Sequence, residues 1–468
     1  MGCRVSLCAV PPGSSIVLHD TASGDRLPLK AEPGGDVGIY ACGPTVYNRI
    51  HVGNARPYIV FSWLKRYLEH EGFRVTYVVN ITDINDKIYD AARAQGVSST
   101  ELAAEMAAHY IADTDRLELG RPDREPRATT SINSIIDLIA SLIERDAAYV
   151  IEGDVYFRVR ADDRYGVISH RALDQLSQGE EDDLVGTARK EDPSDFALWK
   201  AQKDGEDTAW DAPWGRGRPG WHIECSAMAE EALGLTFQIH GGGSDLVFPH
   251  HENEAAQTRC GRGAELAQIW MHNGMLEMRG ADGGSEKMAK SVGNVTSLPA
   301  AIDEHGRDAL LLFFATGHYR QPLVYAPETL ADAAARLRRI REVARVLVDG
   351  PSPAALRPHR DAFFAALADD FNTAKALAAL AEWLRDARAL ADVGRDDLVE
   401  MLDIFGLANI AAGAEDAPDV EAQALLEARE AARTAKDWAE ADRIRDVLQT
   451  QGWDVRDGAE GGELVRRP

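Results

Sequence analysis

The sequence predicts an α/β protein built on a doubly wound parallel sheet, followed by an α-helical bundle and a small C-terminal domain. Residues 37–42 and 74–81 have the apolar character of strands, and residues 55–71 between them have the spacing of a helix. This strand–helix–strand order is typical of a parallel sheet, which binds its ligands at the carboxyl ends of the strands.

The sheet domain is predicted to be assembled from two separated halves. Around residues 120–220 the sequence becomes acidic and rich in turn-forming residues, which indicates an insertion. Strand-like runs return at 236–239 and 269–272. We therefore expect these later strands to join the same parallel sheet.

The character of the chain changes after about residue 300. Alanine-rich segments with helical spacing dominate there, for example at 362–367, 374–384 and 397–405, and predict a helical bundle. One helix-like stretch at 421–448 then precedes a short polar tail. We expect four regions: the sheet domain (1–300), a helical region (301–350), the bundle (351–412) and a small C-terminal region (413–468).

Composition narrows the classes of protein that the chain can belong to. The net charge of −25 disfavours a generic nucleic-acid binder, although local basic patches can still meet a polyanion. No apolar run approaches the roughly 20 residues of a membrane helix, and the N-terminus lacks the apolar core of a signal peptide. Five cysteines, an odd count in a long chain, argue against a disulfide framework and favour the cytoplasm.

Two short strings carry candidate phosphate chemistry. In the first, His51 to Asn54, Gly53 permits close backbone approach just before a helix expected to start near Ala55, and helix N-termini bind phosphates. In the second, Lys287 and Lys290 lie on a loop flanked by glycines and can neutralise charge on a triphosphate. If each string is considered by itself, the alternative for the first is a structural histidine, and the alternative for the second is a solvated lysine loop.

Together the two strings resemble the paired signature motifs of class I aminoacyl-tRNA synthetases, usually written HIGH and KMSKS. Here Val52, Asn54 and Ala289 replace the usual isoleucine, histidine and serine. The resemblance implies a Rossmann-type nucleotide-binding catalytic domain that uses ATP with Mg²⁺. It assigns catalysis and ATP binding to the following residues: His51, Gly53, Asn54, Lys287 and Lys290.

A second constellation has the composition of a metal site. Cys42 ends the first strand, Cys225 lies far along the chain, and His250 and Glu254 are four residues apart on one face of a helix predicted to begin after Pro249. Two thiols, an imidazole and a carboxylate suit zinc. The alternative is two buried cysteines and a surface helix.

Longer motifs narrow the resemblance to the cysteinyl-tRNA synthetase family. They occur in the family's order at 42–47, 80–84, 220–228, 240–245 and 248–254, and the segment 370–373 and the tail around Trp438 extend the match. The resemblance implies one zinc ion per chain, held by Cys42, Cys225, His250 and Glu254, that binds the substrate thiol. It also implies an amino-acid pocket formed by Gly43, Thr82, Trp221 and His240.

Zinc explains how cysteine would be distinguished from serine, since shape alone is worth only about 1–3 kcal/mol and zinc prefers sulfur to a hydroxyl. Four protein ligands nevertheless make a closed site. We therefore predict that Glu254 is a weak, long ligand that loosens, or that the ion becomes five-coordinate, when cysteine binds.

The RNA contacts are predicted in two places. The clearest basic stripe is a cluster of arginines just after the sheet domain: Arg336, Arg338, Arg339, Arg341 and Arg345. This cluster is a candidate contact for the tRNA stem, and the alternative is a solvated helix face. The C-terminal segment resembles the anticodon-reading tail of the same family, which implies that four residues contact anticodon bases: Arg433, Trp438, Asp442 and Asp457. Residues of these types suit stacking on unpaired bases and hydrogen bonding to their edges.

The expected activity is ligation of L-cysteine to tRNA(Cys) in two steps, through cysteinyl-adenylate, by a cytoplasmic monomer. The main alternative is an ATP-dependent cysteine ligase that acts on a small amine, as in mycothiol-pathway relatives. A zinc hydrolase is disfavoured because alanine at position 255 breaks an HExxH motif, and a non-catalytic RNA-binding paralogue because the signature lysines are present. The roles of Cys3, Cys8 and Cys260 stay open.

Overall fold

The computed structural model describes residues 16–172, 190–279, 285–287, 295–412, 420–458 and 461–466. Cys3, Cys8 and Lys290 lie outside the described residues. Among the helices of the described residues, none is long and apolar enough to cross a membrane.

The strands in chain order are β1 (Val17–His19), β2 (Arg26–Pro28), β3 (Asp36–Ala41), β4 (Arg74–Val79), β5 (Ala148–Ile151), β6 (Asp154–Phe157), β7 (Phe196–Ala201), β8 (Gly217–Pro219), β9 (Phe237–Gly243), β10 (Ala267–Asn273), β11 (Leu276–Arg279), β12 (Ser285–Lys287), β13 (Leu323–Tyr325), β14 (Trp453–Gly458) and β15 (Gly461–Arg466).

The helices are α1 (Val52–His70), α2 (Asp86–Gln95), α3 (Ser99–Asp115), α4 (Ile132–Glu144), α5 (Trp221–Leu233), α6 (Glu252–Arg262), α7 (Leu298–His305), α8 (Arg307–Ala315), α9 (Pro327–Ala344), α10 (Arg357–Ala368), α11 (Thr373–Ala387), α12 (Asp396–Ile404), α13 (Ala408–Ala412), α14 (Val420–Thr434) and α15 (Trp438–Thr450).

A parallel four-stranded sheet in the order β10-β9-β3-β4 forms the centre of the first domain. Its strands are buried on both faces, as in β3, where Val37, Ile39 and Tyr40 are at most 1% exposed. The chain winds outward from β3 in one direction to β4 and in the other to β9 and β10. The predicted α/β, doubly wound fold is confirmed, and the switch point between β3 and β9 is where such sheets bind ligands.

The insertion has a sheet of its own, which the acidic sequence did not predict. Strands β5, β6, β7 and β8 form an antiparallel sheet in that order. Phe157, Leu198 and Trp199 from this sheet share an apolar core with Ile223 and Met228 of α5. Short strands alternating with polar turns have a weak sequence signal, which explains the omission.

The helical part matches the expected segments at α10, α11 and α12, but the predicted single helix at 421–448 is wrong. It is broken between α14 and α15, where Lys436 has a φ of 60° and the Asp437 side chain accepts a hydrogen bond from the Glu440 amide at 3.2 Å. The predicted polar tail is instead the hairpin β14–β15. Trp453 and Leu464 of this hairpin pack against α14 and α15.

Candidate active site

A cavity of about 540 Å³ opens at the carboxyl ends of the central strands. Its wall comes from the ends of β3, β9 and β10, from the start of α1 and from Trp221 at the start of α5. Of the residues that the sequence predicted for the site, the wall includes Cys42, Gly43, His51, Gly53, Asn54 and Trp221. The fold therefore brings the first signature string and Cys42 into one cavity.

His51 and Asn54 cap the helix that follows them. His51 Nδ1 accepts a hydrogen bond from the Gly53 amide at 3.1 Å, and Asn54 Oδ1 accepts one from the His51 amide at 3.2 Å. Because of this reciprocal capping, α1 begins at Val52, three residues earlier than expected. With Nδ1 as an acceptor, the proton of a neutral His51 ring lies on Nε2.

The four predicted metal ligands converge in a buried cluster. Side-chain donor atoms of Cys42, Cys225, His250 and Glu254 lie within 4.8 Å of one another. Glu254 Oε1 is 3.1 Å from His250 Nε2 and 3.5 Å from Cys42 Sγ. These spacings are close to the edges of a tetrahedron drawn with zinc–ligand bonds of about 2.0–2.3 Å. The donor set therefore fits a metal ion.

A second set of donors overlaps the first. Cys42 and Glu254 also lie within 4.8 Å of His240 and His251. Here His251 Nε2 is 3.3 Å from Cys42 Sγ, and His240 Nε2 is 3.3 Å from Glu254 Oε2. The set of four that contains both thiols is the softer one and the better match to zinc.

The imidazoles of the cluster are held by further histidines. His250 Nδ1 lies 2.9 Å from His222 Nδ1, and His251 Nδ1 lies 2.7 Å from His272 Nε2. Such outer partners orient metal-binding histidines. The sequence did not predict His222, His251 or His272, although the pair His250–His251 is visible in it as adjacent histidines.

Burial sets the protonation of the cluster. It lowers the pKa of His250 to about 3, so the ring is neutral near pH 7, as metal binding requires. Burial also raises the pKa of the Cys42 thiol, and the neighbouring Cys225 and Glu254 raise it further. A thiolate at Cys42 therefore calls for a cation in the cluster.

The predicted amino-acid pocket is only partly exposed to the cavity. The Trp221 ring lines the wall and stacks on His250, with 4.3 Å between the ring centroids. Gly43 also lines it and donates its amide to Asn80 Oδ1 at 2.9 Å. Thr82 is buried, and its hydroxyl oxygen accepts a hydrogen bond from Asn80 Nδ2 at 3.1 Å. Thr82 is therefore linked to Gly43 through Asn80.

The second signature string begins beside the cavity. Lys287 is the last residue of β12, where it pairs in register with Glu277 of β11. Leu276, the first residue of β11, lines the cavity, and a Cβ on Gly53 would lie 3.6 Å from the Leu276 Cβ. The sheet of β12, β11 and β13 therefore leads from this wall to the lysine loop.

The cavity wall also contains polar residues that the sequence did not single out: Tyr47, Lys87, Asp245 and Asn273. Arg56 is a further omission. It is a fully buried arginine on α1 whose guanidinium binds four backbone carbonyls. A signal for it exists, because Arg56 falls on the same helical stripe as the apolar Val52, Ile59 and Trp63.

The predicted stem-contact arginines do not form one uniform stripe. On α9, Arg336, Arg338 and Arg339 are exposed, as is Arg345 just after the helix. Arg341 instead forms an ion pair with Asp308 of α8, with 3.0 Å between Nη2 and Oδ2. Arg341 therefore supports the packing of two helices.

Three of the predicted anticodon residues, Arg433, Trp438 and Asp442, lie on either side of the turn between α14 and α15. Trp438 is 59% exposed as the first residue of α15, and Asp442 follows one helical turn later. Arg433 is in the last turn of α14. Asp457 lies in β14. An exposed tryptophan next to polar side chains is suited to stacking on an unpaired base.

Known proteins match this chain over almost its whole length. The family model described as the tRNA synthetases class I (C) catalytic domain matches residues 29–335. A model of the cysteinyl-tRNA ligase anticodon binding domain matches 416–464, and the DALR domain model matches 362–409. The chain belongs to the cysteinyl-tRNA synthetase family. The resemblance seen in the sequence is thereby confirmed, and with it a class I aminoacyl-tRNA synthetase catalytic domain.

Curated relatives agree with this assignment. The cysteine–tRNA ligase of Caldicellulosiruptor saccharolyticus is 42% identical and covers 96% of this chain and 99% of its own length. That of Symbiobacterium thermophilum is also 42% identical, over 93% of this chain and 96% of its own. These values extend the similarity beyond the catalytic domain to the C-terminal regions.

Solved structures support the fold. The methionyl-tRNA synthetase of Mycobacterium tuberculosis, in complex with methionyl-adenylate, has a TM-score of 0.58 at 17% identity, over 81% of this chain and 90% of its own. A leucyl enzyme of Agrobacterium radiobacter (LeuRS) has a TM-score of 0.59 at 11% identity, over 82% of this chain and 85% of its own.

Proposed function

We propose that this protein ligates L-cysteine to tRNA(Cys) in two steps. ATP and cysteine first form cysteinyl-adenylate and pyrophosphate, and the terminal ribose of the tRNA then takes the cysteinyl group. The observation that carries the proposal is the position of Cys42, which belongs both to the buried donor cluster and to the wall of the cavity that contains His51 and Asn54. This position supports a metal site for the substrate thiol next to a helix start that could bind phosphate.

The start of α1 is the proposed binding site for the ATP phosphates. His51 Nδ1 is an acceptor within the cap, so Nε2–H is the donor that we assign to a phosphate oxygen. Asn54 Oδ1 accepts from the His51 amide, which leaves its NH₂ group as the donor end. Both side chains are held by the cap before substrate binds, so little reorganisation is needed as charge develops.

The lysine loop is proposed to act next to the start of α1. Lys287 and Lys290 would neutralise charge on the triphosphate, together with Mg²⁺ on its oxygens. The connection of β12 to Leu276 through β11 supports this placement, because Leu276 lies beside Gly53.

Cys42, Cys225, His250 and Glu254 would hold zinc. When bound, zinc would supply a soft Lewis acid that prefers a thiolate to a hydroxyl and lowers the pKa of the substrate thiol. The Trp221 ring, which stacks on His250, would pack against the amino acid and exclude water.

Glu254 is proposed to be the ligand that yields when cysteine enters. Its Oε1 faces His250 Nε2 and Cys42 Sγ, but its Oε2 lies 3.3 Å from His240 Nε2. With Glu254 as a weak ligand, His240 would hold the carboxylate through Oε2, so that the buried charge would not be left unpaired.

The test combines zinc content with cysteine-dependent pyrophosphate exchange and serine as the control substrate. The purified wild-type protein should contain about one zinc ion per chain and exchange pyrophosphate with cysteine but not with serine. Cys225→Ser should lose both the zinc and the exchange. Cys260→Ser changes a cysteine outside the cluster and should keep both. Serine-dependent exchange by the wild type would contradict zinc-based selection.

A charging assay separates the two ligase activities. Transfer of labelled cysteine to tRNA(Cys) is expected, and transfer to a small amine in its place would favour the alternative ligase. The matched anticodon binding domain at residues 416–464 favours tRNA.

The lysine assignment has its own test. Lys290→Ala should slow the exchange by orders of magnitude while the zinc content stays at the wild-type value. A normal exchange rate in this variant would refute the role of Lys290. The exposed Lys375 of α11 provides the matched control, Lys375→Ala.

A further inference from the structure

Arg56 connects the phosphate-binding helix to two other segments of the chain. Its Nη1 donates to the carbonyls of Gly274 (2.6 Å) and Met275 (2.9 Å), and its Nη2 donates to those of Tyr319 (3.2 Å) and Gln321 (2.7 Å). The side chain is 1% exposed. Burial lowers its pKa to about 10, so the guanidinium remains charged near pH 7.

The two segments that Arg56 binds are also packed directly on each other. The Gly274 amide donates to the Tyr319 carbonyl at 2.8 Å, and the Leu323 amide donates to the Met275 carbonyl at 3.0 Å. A Cβ on Gly274 would lie 2.4 Å from the Gln321 carbonyl carbon, so only glycine fits at this contact. Gly274 and Met275 line the cavity beside Leu276.

The segment 318–321 is held on its other side by Asp370. Tyr319 Oη donates to Asp370 Oδ1 at 2.9 Å, and the Arg320 guanidinium donates to Oδ2 at 2.6 and 3.0 Å. His318 Nε2 lies 3.5 Å from Oδ2. The Asp370 carboxylate therefore contacts three successive side chains of the segment, and it is itself fully buried.

Asp370 is itself fixed by the helical bundle and by the N-terminal hairpin. It lies between α10 and α11, with a φ of 62°, and Phe371 follows with a φ of 46°. Left-handed backbone is unusual for a bulky residue and needs support from its surroundings. The Asp370 amide donates to the Val17 carbonyl, and its Oδ1 accepts from the His19 amide, both at 2.9 Å.

We propose that Arg56 and Asp370 are positioning residues that clamp segment 318–321 from opposite sides and thereby hold the ATP end of the cavity against the helical bundle. The ATP end is the wall formed by Gly53, Gly274, Met275 and Leu276. This role rests on the proposed function, because it concerns the ATP site of the same reaction. Asp370 forms no part of the described cavity wall, so its effect on ATP passes through Tyr319 and Arg320.

The clamp makes a specific kinetic prediction. Arg56→Lys replaces a planar fork of donors by a single ammonium, which cannot satisfy the same four carbonyls. Asp370→Asn keeps the shape of the side chain but removes the charge that faces Arg320. In pyrophosphate exchange without tRNA, each variant should raise the KM for ATP at least about fivefold. The KM for cysteine should stay within about twofold, because the hydrogen bonds of Arg56 and Asp370 go to segments 274–275 and 318–321 and not to Cys42 or Trp221.

The double variant tests whether the two residues act on the same segment. Once one side of the clamp is released, releasing the other should add little, so the double variant should raise the KM for ATP by clearly less than the product of the two single effects. Two matched controls should leave this KM unchanged. Arg66→Lys changes an arginine of α1 that binds Asp403, and Asp369→Asn changes the half-exposed neighbour of Asp370.

A milder variant keeps the proposal testable if Arg56→Lys does not fold. Tyr319→Phe removes only the hydroxyl bond to Asp370 and leaves the Tyr319 carbonyl in place for Arg56. It should raise the KM for ATP by about twofold or more, again without a change for cysteine.

Three results would overturn the clamp: an unchanged KM for ATP in Asp370→Asn and Tyr319→Phe, equal changes for ATP and cysteine, or single effects of Arg56→Lys and Asp370→Asn that multiply in the double variant. Failure of the proposed function itself is distinguishable, because the wild-type protein would then show no cysteine-dependent exchange at all.

Discussion

His70 should make the stability of this protein depend on pH in a defined window. It is the last residue of α1, and its ring stacks on Phe364 of the bundle with 4.2 Å between centroids. Its Nε2 lies 2.9 Å from Glu400 Oε1 and its Nδ1 lies 3.1 Å from Glu71 Oε1. Burial opposes the charged ring, but the hydrogen bonds to Glu400 and Glu71 prevail and raise the pKa of His70 to about 9.

The magnitude follows from the difference between the folded and unfolded pKa values. A rise from about 6.5 to about 9 corresponds to about 3 kcal/mol, and the 23% exposure of the side chain reduces this to about 2 kcal/mol through solvent screening. Because the folded value is the higher one, the stabilisation is complete below pH 6.5 and is lost as the pH rises through about 9.

The perturbation is His70→Gln, and the assay is urea unfolding at pH 6 and at pH 9.5. The difference in free energy of unfolding between wild type and variant should fall by about 2 kcal/mol between these two pH values. His109→Gln is the matched control, since His109 meets Glu105 on an exposed helix face at 3.6 Å and such pairs contribute little. A difference that is the same at both pH values, or larger at pH 9.5, would refute the reasoning.

Three further predictions concern the site and the RNA. Asn54→Ala removes the acceptor for the His51 amide. It should lower the free energy of unfolding by about 1 kcal/mol and raise the KM for ATP in pyrophosphate exchange. If both values stay unchanged, Asn54 has no role in capping α1 and positioning His51. Gly241→Ala would put a Cβ 2.0 Å from Phe61 Cζ and shift the carbonyl that binds the Cys42 amide. It should cost about 2 kcal/mol or more and weaken zinc retention against a chelator, whereas wild-type retention would refute the coupling. Trp438→Ala should leave exchange unchanged but weaken tRNA(Cys) binding by about tenfold, and equal binding would exclude stacking on Trp438.

The sequence predicted the parts of this fold that depend on local pattern. The βαβ unit of β3, α1 and β4 was visible as two apolar runs around a helical period, and α10 to α12 as helical spacing in alanine-rich sequence. The start of α1 was misplaced because His51 is not a usual cap residue. Its ring accepts the Gly53 amide only in the conformation that the folded chain imposes.

The metal cluster could be predicted only as a set of residue types. Cys42 and Glu254 are 212 residues apart, and their 3.5 Å contact depends on β3 and the start of α6 meeting at one edge of the sheet. The family resemblance supplied that pairing in advance. It did not supply the second overlapping set, in which His240 and His251 face the same two side chains.

Arg56 shows most clearly what a sequence can and cannot establish. Its place on the apolar stripe of α1 implies a buried guanidinium, and a buried charge requires partners that replace its water. The partners are carbonyls 218 to 265 residues away along the chain, from two segments that meet only in the folded protein. Backbone carbonyls have no residue identity, so no pattern of side chains could have revealed them. A charged residue on an apolar helix stripe therefore predicts that its side chain binds groups from distant segments of the chain. Only the fold shows which segments these are.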